Sequence, residues 1–339
     1  MIRGLLDRRN LSILVILALF LLMFGWGSVA YTGFFSVQNF LNLFIDNAYL
    51  LILAVGMTFV IISGGIDLSV GSMLGLATMI SASLVQKQHL NPLLVILIVL
   101  LVGTALGFLM GCLIQFFDLP PFIITLAGLY LGRGLCYVVS IDTIAISDEF
   151  FQAAAHSQIT IIGNAFVSPS AVIALVVIGV GAYVLRFTRF GRTIYAIGGN
   201  EQSALLMGLP VARTKIAIYA LSGFCSALAG VVFTFYTLSG YALDGKGMEL
   251  DAIATVVIGG TLLTGGAGSV LGTLLGVLVY GTIQVLIVFQ GTLNSWWTRI
   301  AIGLLVFLFC LLQRLFEARR GATVARSISP EPAATAGGG

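Results

Sequence analysis

RFGRTIYAIGGNEQSALLMGLPVARTK, residues 189–215, is the long polar interruption in an otherwise apolar chain. On either side lie apolar runs long enough to cross a bilayer, each bounded by short connectors. The chain has 339 residues, of which 59% are hydrophobic and 9% charged. Soluble domains carry about 25% charged residues, so the composition reads as an integral membrane protein. A crossing helix needs about 20 mainly apolar residues to span a core about 30 Å thick. The apolar runs are continuous and rich in Leu, Ile, Val and Gly, without the alternation of an outer-membrane barrel. The fold class is therefore all-α.

Ten spans are expected, over 11–31, 46–63, 68–85, 92–116, 121–140, 168–185, 215–238, 250–263, 268–289 and 295–312. The first, preceded by Arg3, Arg8 and Arg9, also has the outline of a signal peptide. Its apolar stretch is long for one and many spans follow, which favours an uncleaved helix. Ten spans put both termini on one side, and Lys and Arg mark that side as cytoplasmic. Basic residues crowd before the first span, between Arg186 and Lys215, and after the last span, whereas 141–167 has only Asp142, Asp148 and Glu149. Trp26, Trp296 and Trp297 fall at outer span ends, as an aromatic belt requires. The expected plan is a cytoplasmic N-terminus over 1–10, a membrane domain over 11–313 and a cytoplasmic tail over 314–339. An external loop covers 141–167 and a cytoplasmic one 189–215. From Gly321 the tail is rich in Ala, Gly, Pro and Ser with no apolar period, and is expected to be disordered.

Glycines recur every fourth position at Gly71/Gly75, Gly103/Gly107/Gly111, Gly128/Gly132 and Gly268/Gly272/Gly276. On a helix such residues share one face and let backbones approach closely. GGIDLSVGSMLG (64–75) and GGAGSVLGTLLG (265–276) echo each other, but the match needs a gap and supports no strict repeat. Cys112, Cys136, Cys225 and Cys310 are widely spaced in apolar runs and read as small core residues.

Charges within the membrane are costly and suggest function. Asp67 follows Gly64–Gly65. It reads either as facing a polar pathway at a helix break, or as capping the next span by bonding amides near Ser69 and Val70. Arg133 lies inside a span, paired with a buried acid or reaching to the outer interface. Glu249 and Asp251 either bond a polyol or favour a helix N-terminus. Arg299, beside Trp296 and Trp297, reads as an interface anchor. Residues 240–247, GYALDGKG, fit part of a phosphate loop but place Gly247 where Ser or Thr would hold Mg²⁺, so the match is chance. Two histidines, His89 and His156, make a zinc site implausible, and the chain carries no nucleotide site of its own.

The opening stretch has a local shape. Gly198 and Gly199 precede Asn200, a favoured N-cap, with Glu201 in the first turn. Gly208 and Pro210 stop the run. A helix of about two turns therefore lies in a basic cytoplasmic loop. Either Leu205, Leu206 and Met207 meet a partner, or the loop lies on lipid.

SGGIDLSVGS (63–72), PPFIITLAGLYLGRG (120–134), GRTIYAIGGNEQSALLMG (191–208), GMELDAIATVVIGGTLLTGGAGSVLGT (247–273) and SWWTRIAIGLLVFLF (295–309) occur in family order. Together they resemble the permeases of bacterial ABC importers for monosaccharides, the ribose/xylose/galactofuranose type. DNAYLLILAVGMTFVIISGG and SWWTRIAIG look most like the galactofuranose subtype. The resemblance implies a dimer of like or unlike permease chains, a cytoplasmic ABC ATPase that binds ATP and Mg²⁺, and a periplasmic sugar-binding protein. It implies no cofactor on this chain and no nucleic-acid partner. It assigns ATPase coupling to Gly191, Arg192, Tyr195, Gly198, Gly199, Asn200, Ala204 and Gly208, and an inner-membrane location. The 141–167 loop becomes a docking surface for the binding protein. With a sugar as cargo, Asp67, Thr125, Arg133, Glu249 and Asp251 are expected to line the pathway. The alternatives are another sugar such as ribose or xylose, a branched-chain amino acid, or a proton-coupled secondary transporter.

Overall fold

The computed structural model describes residues 8–163, 165–292, 294 and 296–311. The expected N-terminal and C-terminal cytoplasmic segments lie largely outside them. The order is α1 (Arg8–Ala30), α2 (Val37–Ile45), α3 (Ala48–Ile62), α4 (Val70–Ala82), α5 (Pro92–Phe116), α6 (Pro121–Val139), α7 (Glu149–His156), α8 (Pro169–Phe187), α9 (Arg189–Gly199), α10 (Glu201–Leu206), α11 (Val211–Thr237), α12 (Met248–Ile258) and α13 (Val270–Gln290). A last apolar helix, α14, covers Trp296–Leu311. Strands β1 (Ile144–Ala145) and β4 (Ser239–Gly240) pair antiparallel, as do β2 (Ile159–Ile162) and β3 (Ala165–Val167). Several starts are written in the sequence. Pro92 and Pro169 occupy first turns behind Asn91 and Ser168, whose side chains accept from the Leu93 and Ala171 amides.

Among the described residues, six helices are long and apolar enough to cross a membrane: α1, α5, α6, α8, α11 and α13. The bent pair α2–α3, with 54° between its halves, makes a seventh if counted as one span. The bend falls at Asp46–Asn47, where the buried Asn47 amide turns back onto the Leu43 carbonyl at 3.0 Å. The remaining expected spans are shorter. α4 ends in a π-helical turn, Ser83–Lys87, and α12 has only 11 residues before Gly259 and Gly260. Burial explains why these pieces can be short. Every residue of α3 except Tyr49 is buried, and so is nearly all of α4, so neither meets lipid along its length.

The most hydropathic windows of α11 and α13 are each 61% buried, against 17–33% for α1, α5, α6 and α8. The first pair therefore forms the interior and the others the outer wall. Glycine sets the spacing. A Cβ on Gly103 would lie 2.5 Å from Ala227 Cβ and 2.8 Å from the Gly223 carbonyl, so α5 and α11 meet backbone to backbone. A Cβ on Gly111 would come within 2.9 Å of Ile216, on Gly132 within 2.8 Å of Ser72, and on Gly75 within 2.6 Å of the Asp244 carbonyl. Gly268 departs from its expected stripe, because it sits in the turn before α13.

The 141–167 segment is more ordered than a plain loop. Asp148 accepts from the Phe150 and Phe151 amides and starts α7, while β1 is tied to β4 beyond the end of α11. Phe151 is fully buried and packs 5.2 Å from the Phe235 ring.

Candidate functional site

At one end of the bundle, the polar stretch forms two consecutive helices. Thr188 caps α9 by accepting from the Gly191 amide at 3.1 Å. Asn200 ends α9 and caps α10, its side chain accepting from the Ser203 amide at 2.7 Å. α10 closes in a Schellman turn: the Leu209 amide donates to the Ala204 carbonyl and the Gly208 amide to Leu205. Gly208 supplies the positive φ of 73° that this turn needs. The cap, first turn and stop expected from the sequence are all present. Glu201 also pairs with Lys215 at 2.5 Å.

Burial divides the eight expected coupling residues. Gly191 and Ala204 are buried, the latter in a small apolar cluster with Ile197 and Val211. Arg192 and Gly199 face outward, and nothing lies within 4 Å of a Cβ on Gly199. The Tyr195 hydroxyl donates to the Gly268 carbonyl at 2.7 Å. Gly198 has the tightest surroundings: a Cβ there would collide with the Ile62 carbonyl and reach 2.5 Å from the Gly266 nitrogen. The apolar run at the end of α10 is the reverse, with Leu205 55%, Leu206 90% and Met207 66% exposed.

Gly198 therefore rests on both glycine hairpins at once, the turn after α3 and the turn before α13. The hairpins also touch each other, since a Cβ on Gly265 would lie 2.9 Å from the Gly64 Cα. A little deeper, the Thr58 and Thr273 hydroxyls share a hydrogen bond at 2.7 Å. The sequence echo at 64–75 and 265–276 thus marks two turns that meet under one helix end.

The first hairpin lies inside the helical layer. Asp67 is fully buried, accepts from the Ser69 amide (2.9 Å) and hydroxyl (2.6 Å), and accepts from the Ser222 hydroxyl (2.6 Å). Ser222 is eleven residues past the start of α11, about 16 Å along it at 1.5 Å per residue. The expected bond from Asp67 to the Ser69 amide is present and a second helix is added, but the N-cap of α4 is Ser69 rather than Asp67. Thr125, also buried, donates to the Ile66 carbonyl at 3.1 Å.

From the opposite end, residues 241–247 dip in beside α4. Arg133 Nη1 donates to the Ala242 (2.6 Å) and Asp244 (2.7 Å) carbonyls, and the Thr78 hydroxyl donates to the Asp244 carboxylate at 3.0 Å. Arg133 therefore anchors main chain, without an ion pair among the described residues. Glu249 follows, its Oε2 buried against Gly71 without a hydrogen-bond partner among the described residues. Four of the five expected pathway residues, Asp67, Thr125, Arg133 and Glu249, thus surround α4. Asp251 stands apart, hydrogen-bonded to Tyr280. Asp244, Ser222 and Tyr280 were not singled out by sequence. A serine mid-helix carries no signal, although Asp244 lay in the rejected phosphate-loop match.

The family model for the branched-chain amino acid transport system / permease component matches residues 39–310. The chain belongs to this permease family. It is 47% identical over 323 residues to the inner membrane ABC transporter permease protein YjfF of Escherichia coli (strain K12), covering 94% of this chain and 98% of that protein. It is 42% identical to the fructose import permease protein FruG of Bifidobacterium longum (strain NCC 2705), over 93% and 94% of the two chains. The ribose import permease protein RbsC of Haemophilus influenzae is 41% identical, over 83% of this chain and 85% of that protein. No solved structure matches. The resemblance to sugar importer permeases read from the motifs is therefore borne out at the family level, and the chain is a multi-pass membrane protein.

Proposed function

We propose that this chain is the inner-membrane permease subunit of an ATP-driven importer for a monosaccharide, with galactofuranose as its cargo. The named relatives include permeases for ribose, fructose and allose. The finer assignment rests on the resemblance of 46–65 and 295–303 to the galactofuranose subtype. The chain has ten membrane segments with both termini cytoplasmic, and the placement of Lys and Arg supports that orientation. It works as a dimer of like or unlike permeases, with a cytoplasmic ABC ATPase and a periplasmic sugar-binding protein. It is a transporter subunit rather than an enzyme, and ATP and Mg²⁺ act on the partner.

One observation carries the coupling assignment. Exposed apolar residues at the end of α10 are joined through Asn200 to α9, whose end rests on both hairpins. A partner that moves α10 moves Gly198, and with it the turns after α3 and before α13. Packed segments with two arrangements convert such small shifts into opening on one side or the other. Around α4, Asp67 and Thr125 use their hydrogen bonds to hold the helix start. Glu249 keeps an acceptor free for a sugar hydroxyl and Arg133 shapes the same wall, while Asp251 lines the pathway apart from α4, beside Tyr280. Sugar affinity resides mainly in the binding protein.

The test is Gly198→Pro and Asn200→Trp in the complete transporter, with sugar uptake and ATPase stimulation measured together. Loss of uptake with ATP hydrolysis uncoupled from sugar supports the assignment. Normal uptake and stimulation in both variants would remove it.

A further inference from the structure

At the end of the bundle opposite α9 lies a cavity of about 290 Å³ that the coupling scheme does not use. It opens where α2 bends into α3 and is walled by α7, β3, the start of α8 and the end of α11. Its lining combines ring faces with small polar groups. Tyr49 and Tyr236 stand with centroids 6.3 Å apart, beside His156, Gln158, Ser168 and Ser170. His156 Nδ1 bonds the Gln152 carbonyl at 2.8 Å, which leaves Nε2 available. The Gln158 and Ser170 side chains and the Tyr236 hydroxyl make no hydrogen bond to another described residue. Tyr236 is 59% exposed, so the ring is reachable from outside.

We propose that this cavity is an entry site for a single monosaccharide, upstream of the α4 wall. The inference rests on the sugar-importer reading and names where that sugar first meets this chain. Small-molecule pockets run from about 300 Å³ upward, so the space suits one sugar ring rather than a disaccharide. A pyranose or furanose offers a C–H face to tyrosine and hydroxyls on its rim to amide, imidazole and serine groups. The lining carries no Lys, Arg, Asp or Glu, which disfavours an amino acid that needs both its charges matched. Passage onward requires weak binding, in the millimolar range.

The experiment places one cysteine at Ser170→Cys in the complete transporter and follows its modification by a membrane-impermeant maleimide. Thr160→Cys, on an exposed strand outside the lining, is the control. D-galactose, D-ribose, D-fructose and L-leucine are tested as protectants, and uptake of each is measured in parallel. At ten times a millimolar Kd, occupancy reaches about nine-tenths and modification slows about tenfold. The expected result is such slowing at Ser170→Cys by at least one sugar, none by leucine and none at Thr160→Cys. Tyr236→Ala or Gln158→Ala should lower the rate of uptake at saturating sugar while leaving KM, set mainly by the binding protein, close to its original value. Equal modification rates with every sugar overturn the site. Failure of uptake for all sugars strikes the importer reading instead, because the protection assay does not depend on transport.

Discussion

The Gly266 amide donates to the Ile62 carbonyl at 2.8 Å, binding the two glycine hairpins together main chain to main chain directly beneath Gly198. Both turns are thereby placed under one helix end. Substitution at that end should be far more costly than one residue further on.

Gly198→Ala drives a methyl into the Ile62 carbonyl, and overpacking of this kind costs about 1–3 kcal/mol. Gly199→Ala enters open space at a non-positive φ and should stay within about 0.5 kcal/mol of the parent. Thermal unfolding in detergent checks the pair. Equal melting temperatures would mean that the junction is looser than its geometry.

Removing the α10 cap gives a different signature. Asn200→Ala loses the bond to the Ser203 amide, worth about 1 kcal/mol of local helix stability, whereas Asn200→Asp keeps the acceptor and suits the helix dipole. Amide exchange over 201–207 should quicken in the alanine variant and stay slow in the aspartate one. Global unfolding should shift little in either.

Asp67 offers a test of charge against shape. Asp67→Asn retains an acceptor for Ser69, and its new amide donates to the Ser222 hydroxyl, which can reverse its role. Fold and melting temperature should survive. Asp67→Leu leaves the Ser69 amide buried and unpaired, at a cost of about 1–3 kcal/mol. If both variants unfold alike, the carboxylate's charge rather than its hydrogen bonding holds the hairpin.

Arg133 should behave as a clamp on 241–247. Arg133→Met removes two charged hydrogen bonds, each worth about 1.5–3 kcal/mol, and should make this segment susceptible to external protease before the bundle melts. Arg133→Lys, with one compact ammonium, should recover part of the protection. Unchanged cleavage in the methionine variant would remove Arg133 from this role.

Much of this was legible in the chain. Helix starts at Pro92, Pro121 and Pro169, the Asn200 cap and the Gly208 stop depend on local chemistry, which neighbouring residues announce. The close-packing glycines were likewise visible as a period of four. The lengths of α4 and α12 were not. Apolar composition looks the same whether a segment meets lipid or other helices, so short buried pieces read as full spans. The α7 helix was hidden differently: Asp148 and Glu149 signalled a start, but a positional rule about external loops drew attention to their charge. No local pattern could bring Asp67 to Ser222, because that pairing exists only once α11 crosses the hairpin.

The contact directly beneath Gly198 is built from carbonyls, amides and α-carbons, with the Tyr195 hydroxyl bonding the Gly268 carbonyl beside it. Side chains elsewhere in the bundle can change rotamer and soak up a displacement, as springs would. At Gly198 there are no springs. Whatever distance α9 is pushed must appear almost undiminished in the turns after α3 and before α13, or else the Gly266–Ile62 bond must break. A transmission of that kind trades tolerance for fidelity, and a single methyl group at Gly198 is enough to jam it.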